Sequence, residues 1–152
     1  MAIEVRPARA GDAATIMALV RSERLNPNGL DWRRFHVAEE DGAVIGAVQM
    51  RLNGPELGSL AVRGDQRGQG IAMRLVAAAL DGEMGRVFVI TPAALAGLYV
   101  RHGFARMAAW RAPGQVALNF ALGQVLGSLN ALLTGRRPRR LLVLVRPGAS
   151  AA

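Results

Sequence analysis

Hydrophobic and polar positions recur with different periods along this chain, and each change of period marks an element. Between Glu56 and Val62 the apolar residues Leu57, Leu60, Ala61 and Val62 form a short run bounded by turn signals, Asn53-Gly54-Pro55 before it and Arg63-Gly64-Asp65 after it. That is the pattern of a buried strand. From Gly70 the period becomes helical. Ile71, Leu75 and Ala79 fall on one face, with Ala72, Val76 and Leu80 beside them and Arg74 outside. Asp81-Gly82 closes that helix, and residues 86–91 read as a second β-rich strand. Strand, helix and strand occupy about 35 residues, enough for a right-handed parallel crossover.

The same reading extends to both ends. Residues 3–7 form a first strand, and Asp12 can cap a helix from residue 13 to about residue 25, with Ile16, Leu19 and Val20 facing inward. Asn26-Pro27 and Asn28-Gly29 break it, and a short helical turn follows at residues 31–34. Residues 35–40 are a strand, Asp41-Gly42 a hairpin turn, residues 43–52 the return strand and Asn53-Gly54 a further turn. Pro92 opens another helix, which carries Leu95, Leu98 and Tyr99 and stops at Gly103; residues 104–110 are strand. Residues 116–133 then form a long amphipathic helix. Leu118, Leu122, Val125, Leu126, Leu129 and Leu133 make one stripe, and Asn119, Gly123, Gly127 and Asn130 make the opposite one. Its length approaches the ~20 apolar residues that cross a bilayer. Asn119, Gln124, Ser128 and Asn130 argue against a span, because polar groups in hydrocarbon must find partners. The leucine stripe is therefore expected to cover a hydrophobic surface. Residues 141–146 are the last strand, and the tail after them is expected to fray.

Composition changes this picture in two ways. The chain has 152 residues, half of them hydrophobic, so a core is assured and one domain is expected. It has no cysteine, which excludes a disulfide framework, a thiolate nucleophile and thiolate metal ligands. The opening residues contain no apolar signal core, and a cytoplasmic location is the expectation. The net charge of +8 is unevenly spread. Residues 1–83 hold ten arginines against eleven acids, and residues 84–152 hold nine arginines and no acid. A uniformly positive half favours an anionic partner: a phosphorylated cofactor, RNA or an acidic membrane surface.

The loop after Val62 is where chemistry is expected. Gly68 and Gly70 lack a Cβ, so a ligand can approach the backbone closely. The unpaired N–H groups of the helix's first turn and its dipole make an anion site there, most naturally for phosphate. A Walker loop is excluded because GxxxxGK[ST] is absent and the chain has no lysine; a dinucleotide fingerprint fails because Met73 stands at its third glycine. What is left is a pyrophosphate held by residues 66–72, with the guanidinium of Arg67 adding charge.

The stretch LAVRGDQRGQGIAMRLV resembles the acyl-CoA-binding signature of the GNAT N-acetyltransferase superfamily, a strand ending in L-x-V followed by Gln/Arg-x-x-Gly-x-Gly/Ala. Asp65 occupies the Gln/Arg position, a departure from the pattern. LYVRHGF, residues 98–104, is similar to the family's L-Y-x-x-x-G-F, although Pro92 and Leu95 stand where relatives often have Asn and Ala. IEVRPARAGD resembles the family's opening. The resemblance covers about residues 3–111; the helix at 115–134 and the strand at 141–146 would complete a single domain.

The resemblance implies an α/β fold, with a mixed, twisted sheet flanked by helices that splays beside the glycine loop and admits acetyl-CoA as co-substrate, and with an extra helix between the last two strands. It assigns cofactor binding to Leu60, Ala61, Val62, Arg67, Gly68, Gln69, Gly70, Ile71 and Ala72, with a backbone N–H near Ala61 or Val62 polarising the thioester oxygen. It implies transfer of an acetyl group to a primary amine by direct attack. Tyr99, the chain's single tyrosine, would be the general acid, since a phenol of pKa ~10 can protonate a thiolate of conjugate pKa ~8.5. Glu56 would take the proton from the amine, with Glu39, His36 or bulk water as alternatives. Trp32 and Asp31 could line an amine pocket. His36 and His102 lack a third ligand nearby, so no metal site is expected. The acceptor would be a small molecule or a peptide. A homodimer formed through the long helix, or that helix roofing the acceptor pocket, is expected. Arg136, Arg137, Arg139 and Arg140 read as a solvated turn. Two other functions fit the same residues: acetylation of an aminoacyl-tRNA or other RNA-borne amine, and a non-catalytic acyl-CoA-binding module at a membrane surface.

Overall fold

The computed structural model describes residues 2–51 and 55–149; the Asn53-Gly54 turn and the last three residues of the tail lie outside the described residues. Seven strands and four α-helices alternate along the described chain in an α/β fold. They group into two compact units, residues 1–51 with 57–83 and residues 52–56 with 84–152.

The first unit contains β1 (Glu4–Pro7), α1 (Ala13–Ser22), β2 (Phe35–Glu40), β3 (Ala43–Arg51), most of β4 (Glu56–Val62) and α2 (Ile71–Leu80). Strand order is β1-β2-β3-β4, with β1/β2 and β2/β3 antiparallel. The β2–β3 hairpin turns on Asp41 and Gly42, both at positive φ (51° and 79°), the combination that matches strand twist in a two-residue turn. Ile16, Leu19 and Val20 of α1 pack with Phe35, Val37, Ala47 and Ala61. On α2, the side chains of Leu75 and Ile71 lie over Gly46, where an added Cβ would stand 3.0 Å from Leu75 Cδ1 and 3.2 Å from Ile71 Cγ2. Gly46 and Ala47 are consecutive in β3, so their outward directions alternate and the two helices cover opposite faces of that strand. This is why β3 is buried over five consecutive residues, from Ile45 to Gln49.

The second unit contains β5 (Val87–Pro92), α3 (Ala96–Val100), β6 (Ala105–Met107), α4 (Gly114–Thr134) and β7 (Leu141–Arg146). Here the strand order is β5-β7-β6, with both pairs antiparallel. Its core joins Phe88, Val116 and Val143, flanked by Ile90, Met107, Phe120 and Val145.

Several expectations from the sequence need correction. Helix α1 ends at Ser22, because the chain leaves the helix at Glu23 and Arg24 takes a positive φ of 55°. Asp12 does not cap α1 with its side chain. Its carboxylate instead accepts from the Arg9 backbone N–H at 2.7 Å and from Arg6 at 2.8 Å, closing the short turn before the helix. The expected strand over 104–110 is only Ala105–Met107, and a 3-10 turn follows at Ala109–Arg111. Pro92 ends β5 instead of opening a helix; a 3-10 turn intervenes and α3 begins at Ala96.

The largest correction concerns α4. Its long leucine stripe faces solvent: Leu118, Leu122, Val125, Leu126, Leu129, Leu132 and Leu133 are all exposed. The opposite face is the buried one, with Val116 and Ala131 fully covered and Phe120 partly so. Gly123 sits close enough to β7 that a Cβ would lie 3.2 Å from Leu141 Cδ1. Small residues face inward because the sheet approaches closely along that side. By length and composition α4 is a helix that could cross a membrane.

Gly46 marks the tightest helix-to-strand contact in the first unit. Replacing it with Val forces methyl groups into Leu75 and Ile71 and should cost about 1–3 kcal/mol. Thermal unfolding followed by circular dichroism checks this; Gly29→Val, at a loop position with open space around the missing Cβ but a positive φ of 72°, separates packing from backbone strain.

Candidate active site

In the first unit the relevant geometry lies where β4 turns into α2. Residues Gly64–Gln66 form a single 3-10 turn, Arg67 is extended, and Gly68 and Gly70 both take left-handed φ values of 82° and 74°. At either glycine an added Cβ would meet nothing within 4 Å. The need for glycine therefore comes from backbone sign and from the open space above the loop, not from crowding inside it. Gly70 is the N-cap of α2, and the first helical bond runs from the Arg74 N–H to the Gly70 carbonyl at 3.1 Å. The N–H groups of Ile71, Ala72 and Met73 precede that bond, and with the dipole of a ten-residue helix they give this corner positive potential.

The side chains around the loop hold its shape. Gln69 donates to Gln66 Oε1 at 2.8 Å, and Arg63 pairs with Asp65 at 2.6 Å. Asp65 thus serves the turn, with its carboxyl held below the usual range by that guanidinium. Arg67 does not extend freely into solvent. Its guanidinium pairs with Glu23 just past α1, and its Nε donates to the Val62 carbonyl at 3.4 Å. Glu23 was not legible as a partner from spacing, because it lies 44 residues away. Upstream, Leu60 and Val62 are half-buried and Ala61 is buried. Ser59 interrupts β4 with a positive φ of 53°, an irregularity of the kind that bends a strand beside a site.

The other first-unit candidates have structural occupations. Glu39 accepts from Arg6 Nε at 2.8 Å. Asp31 caps the turn at Trp32–Arg34 by accepting from the Arg33 N–H at 3.1 Å, and that backbone bond holds its carboxyl below the usual range. The Arg33 guanidinium lies 4.8 Å over the Trp32 ring. Trp32 and Asp31 do border an open cleft of about 280 Å³, with Ile16, Met17 and Leu30. His36 is half-buried with no hydrogen bond to Nδ1 among the described residues, and burial pushes its pKa down. Among the described residues no group of three His, Asp or Glu side chains is arranged to hold a metal.

In the second unit both catalytic candidates, Glu56 and Tyr99, are withdrawn from water. Glu56 is 5% exposed, and its Oε2 accepts from Asn119 Nδ2 at 2.8 Å. Glu56 is therefore not a solvated strand-edge carboxylate; α4 reaches over it and supplies a neutral amide donor. An asparagine inside an apolar helix was the available sign that something polar lay beneath. Tyr99, on α3, is 4% exposed and packs edge-on to Phe104 with ring centroids 5.8 Å apart. Burial pushes its phenol up to about 12, and a hydrogen bond with the Thr91 side chain pulls it back in part. His102 follows α3 in the turn before Phe104.

A strand that turns through two left-handed glycines into a helix N-terminus, carried on an α/β scaffold, has backbone chemistry that suits an anion. Comparison with known proteins makes the class specific. The profile of the acetyltransferase (GNAT) domain matches residues 31–106, half of the chain. The chain belongs to the GNAT acetyltransferase family. N-acetylglutamate synthase from Neisseria gonorrhoeae, solved with coenzyme A and N-acetyl-glutamate, is similar with a TM-score of 0.71 at 20% identity, over 96% of this chain and 35% of that one. Diaminobutyrate acetyltransferase from Paenibacillus lautus, solved with L-2,4-diaminobutyric acid and coenzyme A, has a TM-score of 0.65 at 14% identity, over 99% of this chain and 98% of that one. At these identities the likeness concerns the fold. This chain spans about a third of the gonococcal synthase. No curated protein sequence matches it.

The buried phenol makes a pH prediction. Its folded pKa, about 12, lies above the ordinary 10, so the native state keeps a proton that the unfolded chain releases. The Tyr99 contribution is complete below pH ~10 and is lost as pH rises toward 12, for a total of roughly 2–3 kcal/mol. Urea melts across that interval should show the decline in the parent and a flatter profile in Tyr99→Phe.

Proposed function

We propose that this protein is an acetyl-CoA-dependent N-acetyltransferase acting on a small primary amine. The observation that carries the reading is the β4–α2 corner, with Gly68 and Gly70 left-handed and open above an uncapped helix N-terminus, in a chain of the GNAT family. The pyrophosphate of the cofactor would lie against the N–H groups of residues 68–72, and Leu60, Ala61 and Val62 would run beside the pantetheine arm.

The reaction is direct attack. The amine lone pair adds to the thioester carbon, the C–S bond breaks, and the nitrogen loses a proton while coenzyme A leaves as a thiolate. Glu56 is the base for that proton, through water, with Asn119 fixing its Oε2. Tyr99 is the donor to the sulfur. A phenol of pKa about 12 stays protonated throughout the working range. Full transfer to a thiolate of conjugate pKa ~8.5 would be uphill by about 5 kcal/mol, so Tyr99 acts chiefly as a hydrogen-bond donor to developing charge. This differs from the full proton transfer expected from an unburied tyrosine.

The acceptor is read as an amine that also carries a carboxylate. Arg51, on β3, supports this. Its guanidinium lies against Gly58, Nη2 donates to Ser59 Oγ at 3.2 Å, and the buried Nε has no hydrogen-bond partner among the described residues. Amino-acid ligands accompany coenzyme A in the two similar structures named above.

Acetyl-CoA at ~100 times its dissociation constant should stabilise the fold by about 2.7 kcal/mol, read as a rise in melting temperature. Gly70→Glu places a side chain and a negative charge at the corner and should abolish the rise; a parent protein with no rise at all sinks the cofactor assignment. Free-thiol release with a panel of amino acids, diamines and peptides then tests the acceptor. Tyr99→Phe should lower kcat by about 10²–10³-fold with little change in cofactor binding. Glu56→Gln should slow turnover near neutrality and recover toward high pH, where the amine loses its proton unaided. Arg51→Met should raise KM for carboxylate-bearing amines and leave simple diamines unaffected.

A further inference from the structure

The outward face of α4 is chemically unlike a solvated surface. At 100° per residue, Leu118, Leu122, Val125, Leu126, Leu129, Leu132 and Leu133 stay within an arc of about 120°. All are exposed, Leu133 by 85%. In the turn before the helix, Trp110 is 82% exposed with the Arg111 guanidinium 5.9 Å from its ring. After the helix come Arg136, Arg137, Arg139 and Arg140, all exposed. From residue 84 onward the chain contains no acid.

We propose that this face of the second unit docks on an anionic lipid bilayer, with α4 lying in the plane of the surface. Leucines and Trp110 enter the boundary between headgroups and acyl chains, and the arginines at both ends meet lipid phosphates. Two other occupants fit the chemistry less well. A second copy packed α4 on α4 would cover the leucines and leave both arginine clusters with no Asp or Glu from residues 84–152 to pair with. A nucleic acid would satisfy the arginines and leave seven apolar side chains in water. A transmembrane course is disfavoured by what the inner face already does: Asn119 is bonded to the buried Glu56, and Val116 packs with Phe88 and Val143. Crossing the bilayer would break both contacts.

Flotation with vesicles tests this. The full chain is mixed with phosphatidylcholine vesicles, with or without a phosphatidylglycerol fraction, at low and at high salt. Trp110 emission is followed in a Trp32→Phe background. Binding to the anionic vesicles with a blue shift of Trp110 is expected, together with weak binding to neutral ones. Each arginine near an anionic surface is worth roughly fivefold in partitioning, so replacing residues 136, 137, 139 and 140 with Gln should weaken binding by roughly several hundredfold. Leu122→Glu with Leu126→Glu should abolish it. Both residues are exposed, so an unchanged thermal melt is expected for this variant and identifies loss of binding as a surface effect. Absence of vesicle binding overturns the proposal. So does equal binding to neutral and anionic vesicles, or a lipid-free dimer that Leu126→Glu dissociates, or salt-sensitive tRNA binding without vesicle binding.

Discussion

How β4 becomes α2 depends on the sign of φ at two residues. A chain leaving a strand can enter a helix by many routes, and most carry side chains in front of the first helical N–H groups. Here Gly68 and Gly70 take left-handed conformations that an L side chain adopts at a cost, and the space above them is open. Gly70 is also the last residue before α2, so the turn that opens the corner also sets the start of the helix. Ile71 and Leu75 then fall over Gly46, and Val76, Ala79 and Leu80 are buried with them. The open corner and the packing of α2 are consequences of one local geometry. An alteration at either glycine would disturb both.

The second unit poses a different problem, that of polar groups withdrawn from water. A buried carboxylate is expensive unless it receives hydrogen bonds. Glu56 receives one from Asn119 on a helix that is otherwise apolar. Tyr99 is tolerated because a phenol is neutral until high pH, and burial raises that threshold further. The same burial that makes Tyr99 a poor proton donor in equilibrium terms keeps its hydroxyl protonated at neutral pH. Catalytic use of such a group rests on preorganisation more than on acidity.

Much of this was legible in the sequence where one residue's neighbours lie nearby in the chain. The 3.6-residue period gave the inner face of α2, and Asp41-Gly42 specified its hairpin by turn chemistry alone. The glycine corner could be read because its requirement is a backbone one. What escaped were properties set by distant partners. Arg67 looked like a free cation until Glu23, far back in the chain, was brought beside it. Asp12 looked like a helix cap until Arg6 claimed its carboxylate. The burial of Glu56 could not be read locally, because nothing near it in sequence announces that a helix beginning at Gly114 will cover it. Burial is a tertiary quantity, and so the pKa of Tyr99 could not be anticipated from its own helix.

Helix α4 is the case in which the usual inference ran backwards. A leucine stripe normally identifies the buried side of a helix, since burying each such side chain is worth about 1.5–3 kcal/mol. That rule assumes the partner surface leaves room for large side chains. The surface offered here by β5 and β7 already carries Phe88, Ile90, Val143 and Val145, and it accepts Val116, Phe120, Gly123 and Ala131 from the helix. Small residues let the helix approach the sheet closely, and Asn119 can then reach Glu56. The leucines are left outside by the same geometry. An apolar face exposed in this way is unfavourable in water over its whole length. Beside an arginine cluster, a face of this kind suits the anionic bilayer proposed for it.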